Sequence, residues 1–178
     1  MDKSSTAKDP RHAKAHETTI FVLRKGQCPV HRIAEELKPP RGETLVLKAQ
    51  ASGVQIYTCV QGENGERLWT LKAPEAVLQN GKGRVIGSHF SGPTWKHRDG
   101  SEITAKPVAR VESPDHQAIP WLLLTVTGRT GDGVLSRVTS IQRVKTTGGR
   151  APTIPCASDA EVRVPYTAEY CFYAPASV

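Results

Sequence analysis

Residues 54–72 read VQIYTCVQGENGERLWTLK, and this stretch decides the fold class. It holds two segments rich in β-branched and aromatic residues, 54–61 and 67–72, on either side of Asn64 and Gly65. The dipeptide Asn-Gly favours positive φ at both central positions of a two-residue turn, which makes it the strongest short-range signal for a β-hairpin. The stretch therefore predicts two antiparallel strands joined by a tight turn.

The same pattern of apolar segments and turn residues continues on both sides of this hairpin. Asn80 with Gly81, and Asp99 with Gly100, are further turn signals. Because β-branched and aromatic residues fill the segments between the turns, further strands are predicted there. They cover residues 18–23, 44–51, 84–90, 102–111, 118–127 and 162–173.

Three segments interrupt this series of strands. Residues 30–37 have apolar side chains at helical spacing and precede the Pro-Pro dipeptide at 39–40, which predicts one or two helical turns. Residues 134–145 begin with the same spacing and then become β-branched, which predicts a turn of helix running into a strand. The Ser-Gly dipeptide at 52–53 predicts a break before the hairpin.

Strands dominate this pattern, and no long helices alternate with them, so a parallel α/β sheet is not expected. The prediction is a mainly-β fold: a single-domain antiparallel β-sandwich or barrel of about nine strands with one or two short helices. Residues 18–178 are assigned to this one β domain, since neither an internal repeat nor a low-complexity linker divides them. Residues 1–17 are polar and are predicted to form a disordered tail.

The chain of 178 residues has 24 Lys and Arg against 17 Asp and Glu, which gives a formal charge of +7. The basic residues are scattered, and neither an aromatic RNA-binding motif nor a paired Cys/His finger accompanies them, so nucleic-acid binding is not expected. No apolar run approaches the roughly 20 residues of a membrane-spanning helix, so no membrane span is expected. The first residues also lack the apolar core of a secretory signal.

Polar and aromatic side chains are densest in residues 89–101, HFSGPTWKHRDGS. An aromatic wall at Trp95, an imidazole at His89 and a carboxylate at Asp99 could together bind a sugar or a phenolic ring. The structural alternative is a turn in which Asp99 caps its own backbone while Trp95 and His89 fill the core. The structural alternative is favoured, because a strand, a turn and a second strand need these residue types in any case.

Residues outside this motif are candidates for the same pocket. Arg143 could clamp an anionic ligand, or it could form a structural ion pair with Asp99 or Glu75. The structural pair is favoured, because an unpaired buried guanidinium is costly. The full set of candidate ligand-binding residues is His89, Phe90, Trp95, Asp99, Ser101, Trp121, Arg143 and Tyr166.

Signals for catalysis and for cofactors are weak. His89 and Asp99 are candidates for the acid–base pair of a hydrolase or lyase, but the chain has no GxSxG nucleophile motif. No metal is expected, because His89, His97 and Asp99 form only an isolated set of zinc-type ligands. No cofactor is expected either, since the glycines of residues 81–87 lack the spacing of a dinucleotide-binding turn.

Several stretches of the chain carry a resemblance to a known family. They are ASGVQIYTC (51–59), APEAVL (73–78), IGSHFSGPTW (86–95), DGS (99–101), AIPWLLL (118–124), VTSIQRVKTTGG (138–149) and VPYTAEYCFY (164–173). Through them residues 45–173 resemble the domain of unknown function 3455 family, an uncharacterised family of bacteria and fungi. The resemblance implies no activity. Some members carry the name malate dehydrogenase, but this sequence gives no support to an NAD-dependent dehydrogenase.

The resemblance bears on the four cysteines, at positions 28, 59, 156 and 171. From the residues alone, a disulfide between Cys59 and Cys156 and a pair of buried thiols are equal alternatives. The family usually has cysteine at both positions, which favours the disulfide. Cys28 lies outside the matched region and Cys171 replaces a more usual apolar residue, so both are expected to be free. Many members carry an export signal, which implies a secreted, periplasmic or cell-envelope location.

Three functions follow from these observations, in order of preference. The first is a non-catalytic β module that binds a small molecule or a glycan in a pocket near His89 and Trp95. The second is an enzyme that uses His89 and Asp99 as its acid–base pair. The third is a structural or interaction protein of the cell envelope, which an extended exposed apolar patch would indicate.

Overall fold

The computed structural model describes residues 33–177, which form a short 3-10 helix, Glu35–Leu37, followed by eight β-strands. The strands are β1 (Glu43–Gln61), β2 (Arg67–Gln79), β3 (Val85–Phe90), β4 (Thr94–His97), β5 (Glu102–Val111), β6 (Trp121–Thr130), β7 (Ser140–Gly148) and β8 (Glu161–Pro175). The strand predicted at residues 18–23 and the tail predicted at 1–17 lie outside this part of the chain.

The strands form a single antiparallel sheet that closes on itself. Each strand pairs with the next along the chain, and β8 returns to pair with β1 from Glu43 opposite Pro175 to Thr58 opposite Glu161. Connections of three to five residues join β1 through β5, and longer loops at 112–120, 131–139 and 149–160 join the later strands. The predicted mainly-β, antiparallel fold is therefore confirmed. We refer to this arrangement as the closed sheet.

The hairpin predicted around Asn64 and Gly65 is present. β1 and β2 pair from Gln61 opposite Arg67, and Gly65 in the intervening turn has φ of +78°. The turn at Asn80 is fixed by its own side chain, whose Oδ1 accepts hydrogen bonds from the backbone N–H groups of Lys82 and Arg84 at 3.0 and 3.1 Å. The turns predicted at Asn64–Gly65 and at Asn80–Gly81 are therefore both present.

The break predicted at residues 52–53 is wrong, because β1 runs through it as one strand of 19 residues. Gly53 lies between Ala76 of β2 and Tyr166 of β8 and pairs with both. A Cβ atom at Gly53 would stand only 2.0 Å from the carbonyl oxygen of Glu75. This glycine therefore allows two strands to approach closely and does not make a turn.

The helical segments are shorter than predicted. Of residues 30–37, the described part contains only the 3-10 helix Glu35–Leu37. Residues 134–137 form hydrogen-bonded turns, with Ser136 N–H donating to Gly133 O at 3.1 Å and Val138 N–H to Leu135 O at 3.0 Å. The chain then enters β7 at Ser140, so the strand that follows is confirmed and the helical turn before it is wrong.

The core fills the interior of the closed sheet. Its main cluster includes fully buried side chains from three strands and one turn: Ile103, Ile141 and Phe172 with Val138. Trp95 and Tyr170 belong to the same cluster, and each is only 1% exposed. No helix within residues 33–177 is long and apolar enough to span a membrane.

The cysteines confirm one prediction and correct another. Cys59 and Cys156 form the predicted disulfide, which ties β1 to the loop before β8 with their Cα atoms 5.7 Å apart. Cys171 is also disulfide-bonded, so the expectation that it is a free thiol is wrong. Its burial in an apolar cluster with Val144 and Tyr173 is equally compatible with a thiol or a disulfide, and burial alone therefore did not distinguish them. Cys28 lies outside the described residues.

Candidate functional site

His89 and Trp95 form a stacked pair inside the closed sheet. They are direct cross-strand partners of β3 and β4, so their side chains leave the sheet on the same face. Their ring centroids are 4.2 Å apart and the ring planes are 13° from parallel. Both are buried, with 3% of His89 and 1% of Trp95 exposed. The tight bend at Gly92, with φ of +84°, brings the two short strands into this register.

Tyr170 of β8 closes one side of this pair. Its ring meets His89 edge-on at 5.3 Å and Trp95 edge-on at 5.5 Å, centroid to centroid. Phe172 follows on the same face of β8, with its centroid 6.3 Å from Tyr170. Such aromatic contacts each add about 0.5–1.5 kcal/mol beyond the burial of area. The four rings, which we call the aromatic cluster, form a rigid wall.

The imidazole of His89 is a neutral hydrogen-bond acceptor in this environment. Its Nδ1 lies 2.8 Å from the carbonyl oxygen of Thr94, which can only accept, so Nδ1 carries the proton. Burial lowers the pKa of His89 to about 4, and the nearby positive charge of Arg143 lowers it further, against an opposing effect of the Thr94 bond. The second nitrogen, Nε2, makes no hydrogen bond to the described residues and is free to accept one.

A pocket of about 460 Å³ lies against the aromatic cluster. Every strand contributes to its wall, so the pocket lies within the closed sheet, and its volume falls in the ~300–1,000 Å³ range of small-molecule sites. Exposed side chains, including Leu71, Pro93 and Pro107, mark where it opens to solvent. The lining residues are Gln55, Tyr57, Leu71, Pro74, His89, Pro93, Trp95, Pro107, Arg110, Ile119, Pro120, Leu122, Leu124, Arg143 and Tyr170.

Arg143 of β7 supplies a cation to this pocket. Its Nε and Nη2 atoms donate to the carbonyl oxygen of Pro120 at 3.1 and 2.9 Å. Within residues 33–177 it forms no ion pair, so the predicted structural pairing with Asp99 or Glu75 is wrong. Glu75 instead pairs with Arg163 at 2.8 Å. The guanidinium therefore remains uncompensated by any acidic side chain of the described chain.

The tyrosines around Arg143 are held in their neutral form. Burial raises the pKa of Tyr57, Tyr166 and Tyr170, and the positive charge of Arg143 opposes the rise in each case. Tyr57 donates its hydroxyl proton to Gly149 O at 2.6 Å. The Tyr166 and Tyr170 hydroxyls influence each other, and the Tyr170 hydroxyl also interacts with Arg143. Neither hydroxyl reaches hydrogen-bonding geometry with a group of residues 33–177. Of these three residues, Tyr57 and Tyr170 line the pocket, and neither adds a negative charge to it.

Asp99 serves the turn between β4 and β5. Its Oδ1 accepts from Ser101 N and Oγ at 2.9 and 2.6 Å, and its Oδ2 accepts from Val134 N at 2.8 Å. Partial burial would raise the pKa of this carboxyl, but these hydrogen bonds and the contact with His97 outweigh it and hold the pKa below its usual value. Ser101 Oγ in turn accepts from Leu135 N at 3.1 Å. Asp99 and Ser101 therefore hold the loop of residues 131–135 against the turn through these hydrogen bonds.

The candidate residues from the sequence divide into two groups. His89, Trp95 and Arg143 come together in the pocket. The other five do not line it: Phe90, Asp99, Ser101, Trp121 and Tyr166. Trp121 packs instead beside the buried cluster of Val144, Cys171 and Tyr173.

Sequence reasoning missed four polar or aromatic lining residues, which are Gln55, Tyr57, Arg110 and Tyr170. Tyr170 had a usable signal, because it alternates with the buried Ala168 and Phe172 along β8. Gln55 had a weaker one, as a polar residue in an otherwise apolar segment. Its side-chain amide has no hydrogen-bond partner among residues 33–177, which leaves it available to a ligand.

Metal-ligating side chains do not gather at the pocket. Across residues 33–177, no group of three or more His, Cys, Asp or Glu side chains is arranged to hold a metal ion. His97 and Asp99 are neighbours, with Nδ1 and Oδ2 2.9 Å apart, but His89 donates to Thr94 and does not join them. The polar side chains that line the pocket are those of His89, Gln55, Tyr57, Tyr170, Arg110 and Arg143.

A family model described as Protein of unknown function (DUF3455) matches residues 39–174. The chain belongs to the DUF3455 family. The matched region contains every pocket residue and both cysteines of the Cys59–Cys156 bridge. Searches of the curated proteins and of the solved structures found no match to this DUF3455 chain.

Proposed function

We propose that this chain is a non-catalytic β module that binds a small molecule in the pocket within the closed sheet. The observation that carries this proposal is the convergence of all the described strands on one pocket of about 460 Å³ with an aromatic wall. Side chains on a closed sheet alternate between the interior and the outside, so an unfilled interior needs small or displaced side chains. In this sheet the interior space next to the rings of His89, Trp95 and Tyr170 is not filled by side chains.

The lining has the balance of a ligand site. Apolar side chains such as Ile119, Leu122 and Leu124 would contact the body of a ligand, which gains about 25 cal/mol for each Å² of apolar surface removed from water. A few fixed polar groups, His89 Nε2 and the Gln55 amide among them, would orient it. Because the aromatic cluster is buried and mutually packed, it costs little conformational entropy to bind against it.

The enzyme alternative receives less support from the same contacts. An acid–base pair must reach the same substrate atoms, whereas Asp99 accepts three hydrogen bonds in its turn and does not line the pocket. His89 has a pKa of about 4, which makes it a weak base at neutral pH. These two facts favour binding over acid–base catalysis.

An oxidising location fits this module. The described cysteines, Cys59, Cys156 and Cys171, are all disulfide-bonded. Disulfides persist chiefly in secreted, periplasmic and cell-surface proteins. We therefore extend the proposal to an exported protein that meets its ligand outside the cytosol. A count of free thiols on the denatured protein isolated from its native compartment tests this, and a fully reduced protein would contradict it.

The binding proposal is tested with N-phenyl-1-naphthylamine, a neutral dye whose fluorescence rises in apolar sites. We expect saturable binding of one dye per chain. Leu122→Trp fills the pocket from its own wall and should abolish binding, while Leu68→Trp, on the exposed outer side of β2, should leave it unchanged. Absence of saturable binding, or equal binding by both variants, would overturn the proposal.

A further inference from the structure

The charged side chains that line the pocket are all positive. Its charged lining residues are Arg143 and Arg110, and no Asp or Glu lines it. The two arginines are in different situations. Arg110 lies on the exposed rim and pairs with Glu112, with Nη2 and Oε1 3.0 Å apart, and Arg150 pairs with the second oxygen of the same carboxylate. Arg143 is half-buried and has no acidic partner among residues 33–177, so it leaves a net positive charge inside the pocket.

The guanidinium of Arg143 is also held in a fixed position. Two of its N–H groups converge on the carbonyl oxygen of Pro120, which fixes the plane of the group. A guanidinium has five N–H donors in a rigid fork. The Tyr170 hydroxyl lies close enough to interact with Arg143 but does not reach hydrogen-bonding geometry, and no carboxylate of residues 33–177 pairs with the remaining donors. A planar carboxylate is the group that matches such a fork, because it accepts two parallel charge-assisted hydrogen bonds.

The surroundings of Arg143 suit an anion with an apolar body. Burial raises the pKa of Tyr57 and Tyr170, so neither becomes a competing phenolate near neutral pH. The aromatic cluster and the leucines of β6 face the rest of the space. The imidazole of His89 remains neutral there, so it offers no second cation to a doubly charged ligand.

We infer that the ligand is an organic monoanion, a carboxylate on a flat apolar body, with the carboxylate bound by Arg143 and the body lying against the Trp95 and His89 wall. This inference rests on the proposed function, since it assigns the chemical class of ligand to the same pocket. It excludes neutral glycans as the principal ligands, because a sugar ring would leave the Arg143 charge unmatched.

The test measures displacement of bound N-phenyl-1-naphthylamine by 2-naphthoate and by 2-naphthamide. The two competitors share one flat ring system and differ in a carboxylate against a neutral amide. We expect 2-naphthoate to displace the dye at about tenfold lower concentration, as charge-assisted hydrogen bonds are stronger than neutral ones. Arg143→Gln should bring the displacing concentrations of 2-naphthoate and 2-naphthamide together, and this ratio is read separately from any change in dye affinity.

Arg129→Gln is the matched control, because it removes the same charge from an arginine that donates to a backbone carbonyl, Val138 O at 3.0 Å, but does not line the pocket. It should keep the full preference. Arg143→Lys keeps one charge without the fork and should reduce the preference severalfold. It serves as the test variant if Arg143→Gln no longer binds dye.

The outcomes separate the two proposals. If the wild-type chain binds no dye, the binding function itself fails. If it binds dye but both competitors displace it equally, only the carboxylate inference fails. An undiminished preference in Arg143→Gln, or in Arg143→Lys where that variant replaces it, likewise overturns the role of Arg143.

Discussion

The imidazole of His89 lies flat against the indole of Trp95, with 4.2 Å between ring centroids. The pair links two functions of the closed sheet, because the same rings pack the core and form a wall of the pocket. His89 can stack in this way because it is neutral, and its Nδ1 proton is bonded to Thr94 O at 2.8 Å. The stability of the fold and the shape of the binding site therefore depend on the same contacts.

Trp95→Ala should destabilise the fold by about 3–5 kcal/mol, because it removes a fully buried indole and leaves a cavity between His89 and Tyr170. Urea denaturation followed by circular dichroism measures the free energy of unfolding. Trp69→Ala is the comparison, since that indole is half-buried outside the pocket and donates to Ile154 O. Equal losses in both variants would contradict the central position given to Trp95.

Stability should fall as the pH decreases from 6.5 towards 4 because of His89. Its pKa is lowered by burial from 6.5 to about 4 in the fold, so the unfolded chain binds the proton first. The free energy of unfolding contains the full contribution of neutral His89 above pH 6.5. It is lower by roughly 3 kcal/mol at pH 4. Unfolding free energies of the wild type and of His89→Gln at pH 7 and 4.5 should show a shallower pH dependence in the variant. An equal loss of unfolding free energy between pH 7 and 4.5 in both proteins would refute the assignment of this pH dependence to His89.

Gly53→Ala should destabilise the chain by several kcal/mol. Its Cβ would stand 2.0 Å from Glu75 O and 2.5 Å from Ala76 Cα, which are backbone atoms that cannot move without disturbing the β1–β2 ladder. Gly81→Ala is the control, because a Cβ at Gly81 meets nothing within 4 Å. That control should change the unfolding free energy by less than about 0.5 kcal/mol. A tolerated Gly53→Ala would show that the strands can separate there.

Removing the disulfide with the double variant Cys59→Ala and Cys156→Ala should cost about 2–4 kcal/mol. The bridge joins residues 97 positions apart, so in the unfolded chain it closes a long loop and lowers the entropy of that state. Comparing the double variant with the oxidised wild type by urea denaturation measures the effect. An unchanged midpoint would mean that the contact of Trp69 with Ile154 holds the loop without the bridge.

Local chemistry predicted a large part of the fold. Asn64 and Gly65 specified their turn because the required φ values are a property of those residues themselves. Gly53 was misassigned because its role depends on the approach of Ala76, which is distant in sequence. The strand Thr94–His97 is too short for an alternating pattern to identify, and only its partners in β3 and β5 define it.

The candidate site was predicted less completely for a related reason. His89 and Trp95 lie close in sequence, so a single motif contained both. Arg143 was recognised as a cation in need of a partner, but its carbonyl acceptor at Pro120 depends on the pairing of β6 with β7. Tyr170 reaches His89 only because β8 completes the closed sheet. Contacts that require the strand order to be known are not visible in a single sequence.

The pairing of β8 with β1 has a consequence for self-association. β1 and β8 pair along most of their length, so neither offers a free edge to another molecule there. β2 pairs with β3 only from Ala76 to Gln79, and β5 pairs with β4 only from Glu102 to Thr104, so residues 67–75 and 106–111 have a sheet partner on one side only. Pro74 and Pro107 lie in these two segments, and a proline lacks the backbone N–H that an added strand would need. Growth of the sheet onto a second molecule is therefore expected to be opposed by these prolines, and an oligomer of the folded chain is expected to form through side-chain surfaces.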